Sequence, residues 1–96
     1  MKTYFKDPAE TTDWVFDWST WLDTGETISS TLVSVPIGLT LGDGGNGAPA
    51  PSHDNTTVTF WLSAGTEGQK YRISNSVTTS AGRTSERSIV VWVTVR

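Results

Sequence analysis

Cysteine is absent from all 96 residues, so no disulfide can staple the fold and neither thiol catalysis nor a thiolate metal site is open to it. That absence fits synthesis in a reducing compartment, or a domain stabilised partly by its neighbours. Histidine is almost as scarce. His53 stands alone in a Gly/Pro/Asn-rich stretch where nothing would orient an imidazole as a general base. Long apolar runs are missing as well. The longest, Ile89-Val90-Val91-Trp92-Val93, falls far short of the ~20 residues needed to span a bilayer. The opening Met1-Lys2-Thr3-Tyr4-Phe5-Lys6-Asp7-Pro8 has no apolar stretch of the secretory type. A soluble protein without membrane contact is therefore expected. Bases are also few, seven against ten acids for a net charge of −3, which is too thin a positive footprint for nucleic acid.

The chemical motifs are equally sparse. Asp43-Gly44-Gly45-Asn46 lacks the alternating acids and terminal glutamate of a calcium loop, and no glycine-rich phosphate loop occurs. Asp13 and Asp17 fall on the polar side of an alternating segment, where they read as solubilising charges rather than an acid–base pair tuned by a cleft. No enzyme activity, metal or cofactor is expected.

Threonine, serine, valine and five tryptophans bias the chain towards strands. Its length suits one domain, which buries about 60–65% of its unfolded surface and has a stability of roughly 5–10 kcal/mol. Residues 1–11 read as an extended arm ending near Asp7-Pro8, with residues 12–96 as the domain proper. Trp14, Phe16 and Trp18 alternate with Asp13 and Asp17, which predicts a half-buried strand. The helical alternative, Trp14, Trp18 and Trp21 at i, i+4, i+7, is weaker in such β-rich company. Further strands are expected at 27–35, with a bulge or face switch near Leu32-Val33, and through Ile37, Leu39 and Leu41. Three more run through Val58–Leu62, Tyr71–Val77 and Ile89–Val95. Residues 42–56, rich in Gly and Pro, form a long mobile loop that buries nothing. The expected fold is all-β, an immunoglobulin-like two-sheet antiparallel sandwich of about six to seven strands.

Charge is distributed unevenly. The first 69 residues hold two bases and nine acids; the last 27 hold five bases and one acid. These charges either interleave on the folded surface or give a dipolar brick whose acidic side can meet the basic side of another copy. Trp61 faces away from Val58, Phe60 and Leu62, and Trp92 away from Ile89, Val91 and Val93. If the aliphatic sides are core, both indoles are left for an interface. A carbohydrate-binding platform is the alternative use for such rings.

Several segments carry a family resemblance. They are Lys6-Asp7-Pro8, Asp17-Trp18-Ser19-Thr20-Trp21-Leu22, Gly25-Glu26-Thr27-Ile28, the stretch Trp61–Ile73, and Thr78-Thr79-Ser80-Ala81-Gly82-Arg83-Thr84-Ser85-Glu86-Arg87-Ser88-Ile89. Together they resemble the fiber-tail adaptor proteins of tailed bacteriophages, over nearly the whole chain except residues 42–56. The resemblance implies a structural virion protein with an immunoglobulin-like fold, made in the bacterial host cytoplasm and mounted in the tail or head–tail region. Its implied partners are other tail, neck or fiber proteins and further copies of itself, as a homo-oligomeric ring or in multiple copies per virion. It also gives Arg83, Glu86 and Arg87 a possible contact at the tip of the last hairpin, the alternative being a local ion pair of Glu86 with Arg83 or Arg87. Asp7 and Pro8 in the arm, with Trp61 and Trp92, complete the set of interface candidates.

Overall fold

Alternation of β-branched and aromatic residues with Ser, Thr and charged ones turns most of the chain into strands, and glycines punctuate the turns between them. The computed structural model describes residues 2–45 and 47–95. Eight strands follow in order: β1 (Thr3–Lys6), β2 (Thr12–Asp17), β3 (Ile28–Ser34), β4 (Leu39–Leu41), β5 (Ser52–His53), β6 (Thr57–Ala64), β7 (Lys70–Thr79) and β8 (Thr84–Val93). No helix occurs among the described residues. Sheet A has the order β1-β8-β7-β3. In sheet B, β6 pairs with β2 on one side and with β4 and β5 on the other. The two sheets sandwich Phe16, Trp18, Val33, Val58, Phe60, Leu62, Ile73, Val77, Val91 and Val93, all buried. Phe16 and Phe60 stack at 5.5 Å between centroids.

Four details depart from the sequence-based expectations. Residues 3–6 form an edge strand that runs parallel to β8, so the sheets are not wholly antiparallel, and there are eight strands rather than six to seven. Backbone bonds from Val90 N to Lys2 O and from Thr94 N to Lys6 O, each 2.9 Å, bracket this pairing. The irregularity in β3 lies between Ile28 and Ser30 rather than at Leu32-Val33. Ile28 and Val33 are both buried at an odd spacing, so one residue must be taken out of phase between them. Ser29 does this, its hydroxyl donating to Thr78 O at 2.9 Å.

Ile37 lies outside β4 and is fully exposed. A turn closed by Leu39 N to Pro36 O and Gly38 at φ 103° displaces it from the alternating row. Gly38 also needs its bare Cα because an added Cβ would sit 3.1 Å from the Tyr71 hydroxyl. Finally, the 42–56 segment is not empty of structure. Gly42 N bonds Trp61 O at 2.9 Å, Gly44 N bonds Ala48 O at 2.8 Å, Ala48 is buried, and Ser52–His53 add a short strand to β6.

One buried cation clasps the sandwich. Lys6, on β1 of sheet A, is 0% exposed. Its Nζ donates to Ala64 O at 2.7 Å and to Asp7 O at 2.9 Å. Ala64 ends β6 in sheet B with φ 62°, a left-handed conformation uncommon for a residue other than glycine. Burial pushes the Lys6 ammonium below the ordinary lysine pKa, and the nearby Glu10 and Asp7 carboxylates pull it back up.

Candidate contact surfaces

The strand registers decide what each sheet shows to solvent. On the outer side of sheet A, Phe5, Trp92 and Lys70 stand in one row across β1, β8 and β7. The Phe5 and Trp92 rings lie 5.6 Å apart, and Lys70 Nζ sits 4.6 Å from the Trp92 centroid. The next row holds Thr3, Val90 and Arg72. Beyond it Ser88 and Ser74 exchange a hydroxyl bond at 3.0 Å, and Glu86 pairs across to Ser76 with Leu32 on β3. Phe5 is 48% exposed, Leu32 65% and Trp92 37%.

The outer side of sheet B carries Asp13 opposite Trp61, Val15 opposite Thr59, and Asp17 opposite Thr57. Val15 is 57% exposed, whereas Trp61 is half-buried. Asp17 accepts a bond from Ser19 N at 2.9 Å, which holds its carboxyl below the usual range. Strands β2, β4, β5 and β6 contain no Lys or Arg. The strands of sheet A contain Lys6, Lys70, Arg72 and Arg87 against the single acid Glu86.

Between the free edges of β1 and β2 runs a groove of about 640 Å³ lined by Lys2, Tyr4, Trp14, Val15, Arg87 and their neighbours. Tyr4 and Trp14 meet edge to face across it at 5.8 Å. Trp14 Nε1 is buried with no hydrogen-bond partner among the described residues, a cost of about 1–3 kcal/mol for such a group. Arg87 closes one end, its guanidinium 4.4 Å from the Trp18 centroid and bonded to Asp17 O at 2.9 Å.

At one end of the sandwich, the loop after β2 meets the β7–β8 hairpin around Glu26. The buried Glu26 carboxylate accepts from Arg83 in a two-pronged ion pair, from Thr79 Oγ1 at 2.5 Å, and from Asp23 N at 2.9 Å. Arg83 also covers the Trp21 ring at 4.3 Å and reaches Trp21 O at 3.2 Å. The Arg83 and Thr79 bonds hold the Glu26 pKa down to about 2 from an ordinary 4.5. A depressed carboxyl pKa adds stability that is complete above about 4.5 and is lost as pH falls towards 2. Melting temperature should therefore drop across that window. Glu26→Gln should lower it already at neutral pH and flatten the acid slope, leaving the share due to Asp17 and Asp54, whose backbone amide bonds also depress them. An unchanged slope in a pH series of thermal melts would contradict this role.

The interface candidates from the sequence do not form one cluster. Trp92 and Glu86 lie on the outer side of sheet A and Trp61 on that of sheet B. Arg87 borders the groove and Arg83 sits in the Glu26 network. Of the two readings of Arg83, Glu86 and Arg87, the alternative of a local Glu86–Arg83 pair gives way to the pairing of Arg83 with Glu26 and Asp23, because Glu26 is the buried carboxylate within reach. Arg87 is turned towards Trp18 and Asp17. Asp7 and Pro8 form the turn after β1, where Asp7 N bonds Glu10 Oε1 at 2.7 Å and Glu10 N bonds Asp7 O at 3.0 Å. Sequence reasoning passed over Phe5, Val15 and Leu32. Val15 was legible from its position opposite the Trp14/Phe16/Trp18 side, whereas Phe5 needed the pairing of β1 with β8. Among the described residues no group of His, Cys, Asp and Glu is arranged to hold a metal.

Set beside known proteins, residues 6–92 match the family described as podophage GP4 fiber-tail adaptor protein gp77. No curated protein matches the chain.

Proposed function

Because the chain belongs to the podophage GP4 fiber-tail adaptor family, and so is a structural protein of the phage tail, we propose that it acts as a two-faced connector without catalytic activity, joining tail and fiber components through the outer sides of its two sheets. The observation that supports this reading is the placement of large apolar side chains on both. Phe5, Trp92 and Leu32 are exposed on sheet A and Val15 on sheet B, with Trp61 half-buried beside it. An exposed indole flanked by Phe and by Lys or Arg has the composition of a binding hot spot. Trp92 and Glu86 are contact residues on sheet A in this reading, and Trp61 is one on sheet B. Arg83, Arg87, Asp7 and Pro8 support the neighbouring loops and edges.

The test is made on the particle. Mass spectrometry and cryo-EM of purified virions should find the protein in the tail, and its absence would overturn the proposal. Truncating Trp92 to Ala should cost about 2 kcal/mol or more of contact energy, roughly 30-fold in affinity. The variant should keep the wild-type melting temperature to within a few degrees while its occupancy in assembled tails falls.

A further inference from the structure

β1 covers only part of the edge it sits on. It pairs with Val90–Val93 of β8, whereas β8 begins at Thr84. From Thr84 to Ile89, β8 therefore has β7 on one side and no strand on the other among the described residues. Backbone groups along a strand alternate between its two sides. Val93 N bonds Gln69 O on the β7 side, while Val90 N and Thr94 N bond Lys2 O and Lys6 O on the β1 side. Glu86 and Ser88 share the phase of Val90, so their N–H groups face the open edge. The groove described above runs along this stretch, lined by Arg87, Ser88 and Ile89 from β8 and by Trp14, Val15 and Phe16 from β2. It is the space that a longer β1 would occupy.

We infer that this gap receives an extended segment of a different protein, which completes sheet A as an added strand beside β8. This rests on the connector reading above and gives it a third contact, on the open side of the sandwich. Donors at every second residue of an uncovered edge are matched by the carbonyls of an extended polypeptide, which repeat at the same spacing. The open stretch, Thr84 to Ile89, is about 20 Å long and takes roughly six residues. Trp14 Nε1, buried in the same groove without a partner among the described residues, is a further donor for an occupant rich in acceptors. Side chains of the added strand alternate in direction. Those turned inward lie against Trp14 and Ile89 and are apolar. The outward one beside Glu86 is basic, because Glu86 is exposed and has no ion pair among the described residues. A second copy has no such segment to lend among its described residues. Its eight strands are all paired, and its longest connections, 18–27 and 42–51, are bent by turns.

Photo-cross-linking in infected cells tests this with the full chain. A benzophenone-bearing residue in place of Lys2, which lines the groove, should link to one segment of another protein, identified by mass spectrometry. That segment should alternate apolar residues with polar ones that include a lysine or arginine. A link to a second copy of this chain, or no link, overturns the inference. A synthetic peptide of the linked segment is then added to the purified protein. The amides of Glu86 and Ser88 should exchange freely without the peptide and slow by at least about tenfold with it; unchanged exchange overturns the inference. Ser88→Pro removes one of these donors, and a proline is tolerated where the N–H faces away from the ladder. The variant should melt within a few degrees of wild type yet bind the peptide at least about tenfold more weakly. Ser88→Ala loses the same hydroxyl bond to Ser74 but keeps the amide, and should bind as wild type does. Full binding by Ser88→Pro, or equal weakening by Ser88→Ala, would sink strand addition. A groove filled in this way in a protein missing from virions would remove the connector reading and keep the inference, whereas a virion protein whose groove links to nothing would do the reverse.

Discussion

Trp18→Ala is expected to destabilise the fold by about 3–5 kcal/mol, the range for deleting a large buried aromatic. For a domain of this size that is a fall of roughly 15–30 °C in melting temperature. Trp18 is fully buried and is held on three sides. Its Nε1 donates to Asn75 Oδ1 at 2.9 Å, Trp21 packs edge-on at 5.3 Å, and Arg87 covers its other surface. The loss is more than a void, because Asn75 is itself 0% exposed and loses the donor to its carbonyl oxygen. The Asn75 amide nitrogen meanwhile donates to Thr31 Oγ1 at 2.7 Å and Leu32 O at 3.0 Å, tying β3 to β7. Trp18→Phe separates the two contributions. It keeps most of the apolar volume and should cost less, with the remainder set by the orphaned Asn75 oxygen at about 1–3 kcal/mol. Chemical denaturation of the two variants measures both, and equal losses would show that the apolar volume Phe retains contributes nothing and that the hydrogen bond is the whole effect.

Lys6→Ala is the second large effect expected, at about 3 kcal/mol or more. Two causes add. The four-carbon stem fills space between the sheets, so its removal leaves a cavity. The ammonium also donates to the part-buried Ala64 O and Asp7 O, and losing a hydrogen bond to a charged donor costs about 1.5–3 kcal/mol. Lys6→Met keeps the stem and removes only the donor, so it should cost roughly half as much. If Lys6→Met were as harmful as Lys6→Ala, the donor bonds would be the whole contribution. If it were neutral or stabilising, the desolvation of the ammonium would already cancel what its bonds supply. Amide exchange offers a second readout, because loosening the clasp should open β1 before the remainder of sheet A.

The period-two pattern made β2, β6, β7 and β8 legible, since side chains on a strand alternate between core and solvent without reference to anything distant. Phe60 inward and Trp61 outward follow from that rule alone. It failed where a single residue breaks the phase. Ile37 continued the alternating row on paper but was lost to the turn at Gly38, and the phase slip in β3 sat at Ser29 because Ile28 and Val33 both had to reach the core. β1 was missed as part of a sheet because four residues with one inward lysine carry no apolar alternation. Its place depends on a partner, β8, that lies almost ninety residues away.

The candidate contacts divide in the same way. Trp61 and Trp92 could be read as outward-facing because each alternates against an aliphatic row of its own strand. Arg83 and Glu86 could not be placed, because the carboxylate that captures Arg83 belongs to Glu26, a loop residue 57 positions earlier. Composition and alternation, which act over a few neighbouring residues, were enough to determine an all-β domain without cysteine chemistry, its longer strands and the outward direction of its indoles. The pairing of strands distant in sequence was decided only by the tertiary structure. It buried Lys6 against Ala64, joined Arg83 to Glu26, and carried the basic strands β7 and β8 to one side and the acidic β2 to the other. Charge along a chain says nothing about which surface it will occupy until the order of strands in the sheets assigns one.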